Sequence, residues 1–159
     1  MIEVYIPDER QLETDLGIVR SNLLADLKIT ITKAAIDLSA HIKDQKLSGQ
    51  VLNRRTGRLS RSINYQVSDT DGGVEATVGT NVEYARLHEY GFKGTVNVKE
   101  HMRRMASGVK ARVRSHSRRV DLPERSFLRS SLEDMRADID ERIARVIGQS
   151  IASSGRGAA

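Results

Sequence analysis

The sequence predicts an α+β fold with a long N-terminal helix, a small antiparallel sheet of hairpins with a short helix, a projecting basic β-hairpin arm and a C-terminal helix. Two patterns predict it. Apolar residues recur every three or four positions near both ends of the chain, as in amphipathic helices. Between these regions, short alternating segments flank glycine-containing turns, as in β-hairpins. The 159 residues fit one domain, which we expect to span 1–152, with 94–120 as the arm and 153–159 as a flexible tail.

The first predicted elements are a short strand and a long helix. Residues 2–6 alternate enough for a strand, and Pro7 followed by two acidic residues favours a helix start. An apolar stripe then runs from Leu12 to Ile42, and Ser48-Gly49 ends the helix. A small domain cannot cover a helix of about nine turns completely, so we expect part of the stripe to meet another subunit.

The middle of the chain predicts a hairpin and two short helical segments. Thr56 is expected to cap the first of these segments. Two alternating stretches flank Asp71-Gly72-Gly73, a sequence that favours a tight hairpin turn. Thr80-Asn81-Val82-Glu83 matches a capping box and predicts a second helix through Tyr90, which Gly91 ends.

An internal repeat marks the following segment. Residues 98–105 and 113–120 both read V-[K/R]-x-H-x-R-R-[M/V], fifteen positions apart. Each copy alternates over part of its length, and residues 106–108 between them are Ala-Ser-Gly. We therefore predict strands around 95–104 and 109–119 that pair as the arm.

The last element is a second amphipathic helix. Asp121-Leu122-Pro123-Glu124 supplies the start signal, and apolar residues from Leu128 to Ile147 follow at helical spacing to about Ser150. The tail from Ser153 onward is rich in small residues, which is typical of a flexible terminus.

Positive charge is concentrated in the arm. The chain carries a formal charge of +5, and residues 101–122 hold seven basic residues and one acidic residue. Such a segment indicates an acidic partner, either nucleic acid or an acidic protein surface. The alternative is a solvated strand whose charges protect an edge. The candidate interacting residues of the arm are Lys99, Arg103, Arg104, Lys110, Arg112, Arg114, Arg118 and Arg119.

Contact with DNA would be limited to its backbone. The arm has no aromatic residue between Lys93 and Glu124 on which bases could stack. No predicted helix is basic enough to read a major groove. Binding through phosphates would be independent of sequence and sensitive to salt.

The composition argues against several other classes. The chain has no cysteine, which excludes a disulfide scaffold, a zinc ribbon and a thiol nucleophile. No stretch approaches the roughly 20 apolar residues of a membrane span, and the N-terminus does not resemble a signal peptide. His88, Glu89, His101 and His116 match no metal-ligand spacing, and no nucleophile or phosphate-loop motif is present. We expect no enzyme activity, no catalytic, metal or cofactor-binding residue, no small-molecule substrate and no membrane contact.

Three of the six aromatic residues lie close together at Tyr84, Tyr90 and Phe92. We expect Tyr84 to fill the core of the small sheet. Phe92 fits either the core or an aromatic edge presented to a neighbour. Tyr90, Phe92 and Phe127 are the candidate subunit contacts.

Three ordered motifs within residues 50–135 carry a family resemblance. They are RTGRL at 55–59 with SI at 62–63, VGTNVEYA at 78–85 with HEYG at 88–91, and LPERSFL at 122–128. Together they resemble the tail-completion and virion-morphogenesis proteins of long-tailed bacteriophages, a head–tail neck family that includes lambdoid tail components. Ser126 stands where that family usually has proline, and Ser130-Ser131 replaces its common Pro-Ala.

The resemblance implies a structural α+β subunit that completes the tail and helps join it to the head. It implies a homo-oligomeric ring at the head–tail interface, expected to be hexameric, in contact with other phage neck and tail proteins. The protein would belong to the virion neck and be assembled in the bacterial host cytoplasm. The arm would then meet either DNA in the lumen or acidic residues on a neighbour's helices, such as Glu133, Asp134, Asp138 and Asp140.

Overall fold

The computed structural model describes residues 9–53 and 55–154, so the predicted strand at 2–6 and tail residues 155–159 lie outside the described part. The α+β class is confirmed. In chain order the elements are α1 (Glu9–His41), a π-helical segment (Ile42–Gln50), α2 (Arg58–Ser62), β1 (Ile63–Thr70), β2 (Gly73–Thr80), α3 (Ala85–Tyr90), β3 (Phe92–Val98), β4 (His101–Arg104), β5 (Lys110–Val113), β6 (His116–Leu122) and α4 (Leu128–Ser154).

The predicted long helix is confirmed. Helix α1 runs for 33 residues and continues into the wider turns of the π-helical segment. Gly49 interrupts that segment with a φ of 127°, a conformation that glycine adopts without steric cost. The amides of Val51 and Leu52 then donate to the Lys46 carbonyl at 3.2 and 3.0 Å, so the chain turns back at the predicted end.

Strands β1 and β2 form the predicted first hairpin. They pair antiparallel from Ile63 opposite Thr80 to Thr70 opposite Gly73, which leaves Asp71-Gly72 as a two-residue turn. Both strands pack against α1. Near the turn, the Lys28 ammonium of α1 lies 2.7 Å from an Asp69 carboxylate oxygen of β1.

The caps predicted for the two short helices are wrong. Gly57, with φ of 71°, occupies the cap position of α2, and the Thr56 hydroxyl accepts only a long 3.4 Å bond from the Arg58 amide. The Thr80 hydroxyl accepts from the Val82 amide at 3.2 Å, which forms a turn before α3. Helix α3 begins only at Ala85, so no capping box forms, although its end at Tyr90 is as predicted.

The predicted second hairpin is confirmed, but its ladder is interrupted. Strand β3 pairs with β6 and β4 pairs with β5, both antiparallel and in one continuous register. Residues 99–100 on one side and 114–115 on the other separate the two pairs. The hairpin also extends further toward the body than predicted, because Phe92 pairs with Leu122.

Helix α4 begins later than the sequence predicted. Residues 121–122 still belong to β6, and the helix starts at Leu128 and continues through Ser154. Ser153 and Ser154 therefore lie in the helix and not in the predicted tail. The pairs of Lys46 with Asp134 and of Asp37 with Arg142 show that α4 packs antiparallel to α1.

The core lies at the end of the molecule where α1 finishes and α4 starts. Its buried apolar side chains come from α1, the π-helical segment, β1, α3 and the connecting segments that contain Leu52, Val82 and Phe127. Phe127 is fully buried at their centre, and Tyr84 packs against the cluster as a half-buried neighbour, as predicted. The buried members of this cluster are Leu38, Ile42, Leu47, Leu52, Ile63, Val82, Ala85 and Phe127.

Two glycine-to-alanine substitutions should change stability in opposite directions. Gly91 has φ of 71°, and an added Cβ would lie 2.9 Å from the Leu122 carbonyl oxygen and 2.9 Å from the Glu124 amide nitrogen. Gly91→Ala should therefore lower the free energy of unfolding by about 1–3 kcal/mol. Gly148 in α4 has no atom within 4 Å of an added Cβ, and Gly148→Ala should raise it by about 0.5–1 kcal/mol.

Urea unfolding of both variants beside the wild type tests this prediction. Equal effects of the two substitutions would contradict the close approach of the chain at Gly91.

Candidate interaction surfaces

A buried carboxylate joins α3 to the start of α4. The side chain of Glu89 is only 4 % exposed. It accepts hydrogen bonds from the amides of Phe127, Leu128 and Arg129 at 2.8, 2.9 and 3.0 Å, and from the Ser126 hydroxyl at 2.9 Å. The first amides of a helix lack partners within it and carry partial positive charge. Glu89 therefore caps α4 from a distant part of the chain.

Arg129 adds a cation to this junction. Its Nε lies 3.2 Å from the Glu89 carboxylate, its Nη2 lies 2.7 Å from Glu124, and its guanidinium lies 4.7 Å from the centroid of the Tyr90 ring. Burial raises the pKa of the Glu89 carboxyl. The hydrogen bonds from the Leu128, Arg129 and Phe127 amides and from the Ser126 hydroxyl together lower this pKa by more than burial raises it, so it lies below the ordinary 4.5. The carboxylate is ionised at neutral pH.

The junction brings together two of the three sequence motifs. The His88 carbonyl accepts from the Arg125 amide at 2.8 Å, and Gly91 leaves room for the backbone at Leu122 and Glu124. The segments 88–91 (HEYG) and 122–128 (LPERSFL) therefore pack together as one joint. Strand β3 begins directly after the first segment, and strand β6 ends at the start of the second. Glu89 works here as a positioning residue, a role that the sequence did not reveal because its partners lie 37 or more positions away.

The arm places basic side chains on both of its faces. Residues directly opposite each other in an antiparallel pair project on the same face, and successive residues alternate. Arg104 lies opposite Lys110, and Arg112 shares their face two positions along β5. Arg103 lies opposite Ala111, so the two adjacent arginines of the first repeat copy point to opposite faces.

The second repeat copy follows the same rule. Arg118 lies opposite Val96, and Arg119 opposite Thr95, so they also occupy opposite faces. Lys99 and Arg114 lie in the interruption of the ladder. The eight candidate residues thus belong to one arm, but they do not form a single patch.

Most of this charge is not neutralised within the described part of the chain. Arg112 is the exception, because its Nη2 lies 2.8 Å from the Glu100 carboxylate. The other seven candidate side chains are exposed and have no carboxylate partner among the described residues. The arm can therefore attract an anionic surface from either side.

The sequence repeat of the arm is matched by similar contacts on the two sides of the break in its ladder. His101 lies opposite Val113, and Val98 opposite His116. In each copy the histidine Nδ1 meets the carbonyl two residues earlier, at 3.0 Å for His101 and 2.9 Å for His116. The two copies therefore flank the interruption of the ladder with matching contacts. Among the described residues, no group of three or more His, Asp or Glu could hold a metal ion.

The three candidate aromatic contacts fall in different environments. Tyr90 is 61 % exposed beneath Arg129, and Phe92 is half-buried at the base of the arm. Phe127 is fully buried in the core, so its side chain packs inside the subunit and not on its surface, contrary to the expectation. Its position follows from Glu89, which draws the Phe127 backbone toward α3.

The acidic residues expected to receive a neighbour's arm are mostly engaged within their own chain. Asp134 lies 2.6 Å from the Lys46 ammonium, Asp138 lies 2.7 Å from Arg142, and Glu133 lies 3.4 Å from Arg136. Asp140 is exposed on α4. A docking arm would therefore have to compete with existing ion pairs for three of the four.

A groove with a basic rim lies beside the core, and the sequence did not point to it. Its volume is about 590 Å³. Apolar side chains of Leu47, Leu52, Leu59 and Tyr84 line it, and the polar lining includes Arg55, Arg58, Arg125 and His88. We call it the arginine groove. The RTGRL motif contributes to its lining, as do His88 and Arg125, whose backbones are joined by a hydrogen bond.

Comparison with known families identifies the class of protein. Residues 34–151 match the phage virion morphogenesis family, and this is more than half of the chain. The chain belongs to that family and is a bacteriophage protein with a structural role in virion morphogenesis. Searches among curated proteins and among solved structures gave no significant match. No helix in the described residues is long and apolar enough to span a membrane.

Replacing the capping carboxylate should destabilise the subunit. Glu89→Gln keeps the size of the side chain but leaves several donors of the α4 terminus without an ionised acceptor. We expect a loss of about 3 kcal/mol in the free energy of unfolding. Glu124→Gln is the matched control, because it removes an exposed partner of the same arginine and should have a much smaller effect.

The effect should also depend on pH in a defined direction. Because folding lowers the pKa of Glu89 below 4.5, its ionised form stabilises the fold above that pH. This stabilisation is lost as the pH falls through the lower pKa of the folded state. The stability difference between wild type and Glu89→Gln, measured by urea unfolding from pH 7 to pH 3, should therefore shrink on acidification. A difference that stays constant would contradict the capping role.

Proposed function

We propose that this chain is a structural subunit that completes the phage tail and helps join it to the head by assembling as a ring at the head–tail interface. Membership of the virion morphogenesis family supports the structural role. The observation that supports assembly is the apolar surface that one subunit leaves uncovered. Leu16 and Ile18 on α1 are 67 and 53 % exposed, and Val109 at the tip of the arm is 65 % exposed.

Such surface is costly to leave in water. Exposed large apolar side chains occur at several places in the described part of the subunit, and two of these places are projecting parts, the start of α1 and the tip of the arm. Met102 and Met105 add further exposed apolar side chains at the tip. Both projections are suited to be covered by neighbouring subunits.

The state of the purified protein and of the particle tests this proposal. We expect native mass spectrometry to show a closed oligomer with a fixed number of copies, for which the resemblance suggests six. We also expect the protein in purified virions, and particles made without it to have unjoined heads and tails. A monomer at all concentrations, absent from virions, would overturn the proposal.

A second candidate function is sequence-independent binding to the DNA backbone through the arm. Two observations favour it. Seven basic side chains of the arm have no carboxylate partner in the described chain, and most of the acidic residues expected to receive them are already paired. DNA in the lumen of a ring would supply the missing anions as phosphates.

Replacing four arm arginines separates the two roles of the arm. If the arm binds DNA, Arg103→Ala, Arg104→Ala, Arg118→Ala and Arg119→Ala together should abolish salt-sensitive DNA retention and leave the oligomer intact. If the arm docks on a neighbour, the same variant should lose the oligomer instead. Arg136→Ala with Arg145→Ala on α4 serves as the control for reduced net charge and should change neither property.

A further inference from the structure

We propose that the arginine groove binds the phosphate group of a nucleotide, whether that nucleotide is free or part of a nucleic-acid strand. This site goes beyond the proposed assembly. It is also separate from the arm, because residues 94–120 are not among the described residues that line it. The RTGRL motif, which the proposed function does not use, contributes all five of its residues, 55–59, to the lining.

The groove presents positive charge and hydrogen-bond donors. Arg55, Arg58 and Arg125 line it with three guanidinium groups, each of which has five N–H donors and a permanent charge. Thr56 and His88 add side chains that can also donate. No Asp or Glu is among the described residues of the lining. The chemistry of the groove therefore fits an anion and not a cation.

The subunit itself does not neutralise this charge. The three guanidinium groups have no carboxylate partner in the described part of the chain. A second cavity, of about 420 Å³, has the opposite arrangement, because Arg129 and Glu89 both line it and their Nε and carboxylate oxygen lie 3.2 Å apart. Like charges that line one cavity repel each other, and an anion bound in the arginine groove would offset that repulsion.

A phosphate matches three arginines better than a carboxylate does. The arginines come from two separate segments of the chain, 55–58 and 125. A phosphate directs its oxygens tetrahedrally and can accept from several guanidinium groups at once, whereas the two oxygens of a carboxylate lie in one plane and suit a single bidentate arginine. A terminal phosphate also carries about −1.5 to −2 charges at neutral pH, which is more than a carboxylate carries.

The rest of the groove suits the sugar and base of a nucleotide. Its volume of about 590 Å³ is in the range of small-molecule sites and exceeds what a phosphate group alone would fill. Leu47, Leu52 and Leu59 supply apolar lining, and Tyr84 supplies an aromatic side chain, the kind of group on which bases stack. The arm has no such residue, so the groove offers a contact to a base that the arm does not.

The backbone that carries the arginines is held in place by bonds within the subunit. The Arg61 guanidinium donates to the Thr56 carbonyl at 3.2 Å, and the Arg125 amide donates to the His88 carbonyl at 2.8 Å. Arg58 is the first residue of α2. A site whose frame is already formed loses less conformational entropy when it binds a ligand.

Protection of arginines from chemical modification tests the site in the full chain. Phenylglyoxal modifies exposed arginines, and mass spectrometry gives the rate at each position. At constant ionic strength, inorganic phosphate, adenosine monophosphate and a short single-stranded DNA should each slow modification of Arg55, Arg58 and Arg125. Arg20, which is exposed on α1, should keep its rate with inorganic phosphate and with the nucleotide.

The concentrations needed for protection distinguish the two sources of the phosphate. Protection by DNA at lower concentrations than by the nucleotide assigns the site to a nucleic-acid strand, and the reverse order assigns it to a free nucleotide. No protection by any of the three probes overturns the proposal. Equal protection by polyglutamate and by DNA of the same charge also overturns it, because the groove would then accept any acidic chain.

Substitution of the groove arginines provides an independent measurement. Arg55→Ala, Arg58→Ala and Arg125→Ala together should weaken binding of adenosine monophosphate more than about tenfold, because each charge-assisted hydrogen bond contributes about that much or more. These side chains are exposed, and urea unfolding should confirm that the variant folds. The matched control, Arg20→Ala with Arg136→Ala and Arg145→Ala, removes the same charge and should leave this affinity unchanged. Equal losses in the two variants would contradict a site in the groove.

The outcomes separate this site from the other proposals. The variant that lacks Arg103, Arg104, Arg118 and Arg119 of the arm should retain protection of the groove by inorganic phosphate. If wild type forms the ring but no probe protects the groove, the phosphate site is wrong and the proposed function stands. If phosphate protects the groove but wild type never assembles and is absent from virions, the site stands and the proposed function fails.

Discussion

The bond network of Glu89 is the interaction on which the rest of the structure depends. One buried carboxylate accepts from three backbone amides at the start of α4 and from the Ser126 hydroxyl. By doing so it fixes where α4 begins and seats Phe127 in the core, close to the base of the arm, where β3 and β6 pair. An uncompensated carboxylate would be costly to bury. Here the helix terminus and Arg129 compensate it.

The placement of that joint gives the subunit its polarity. The core surrounds the end of α1, the start of α4 and the base of the arm, all at one end of a helix about 50 Å long. The other end of α1 carries the exposed apolar side chains of Leu16 and Ile18. Charge is divided in the same way: arginines on α4 are paired within the chain, whereas those of the arm and of the arginine groove are mostly not. The positive charge that the subunit does not neutralise among the described residues therefore lies on the arm and at the arginine groove.

Sequence patterns predicted the elements well where the signal was periodic. The apolar stripe of α1, the alternation in the first hairpin and the repeat in the arm each led to the element observed. The errors were local. Thr80 bonds to Val82 and not to the third residue of a helix, and the start signal at 121–124 was overridden because Leu122 pairs with Phe92. A cap motif describes one conformation of a short segment, and a neighbouring strand pair can stabilise a different one.

The sequence by itself determined the class of fold, the long helices, the basic arm and the resemblance to a virion family, because each is encoded in residues close together along the chain or in ordered motifs. Only the tertiary structure showed that Glu89 caps α4, that Phe127 is core, that adjacent arm arginines face opposite ways and that Arg55, Arg58 and Arg125 share one groove. These properties depend on which distant residues meet. Periodicity and composition carry no information about such meetings, because the free energy that selects them comes from burial and hydrogen bonding between separate segments.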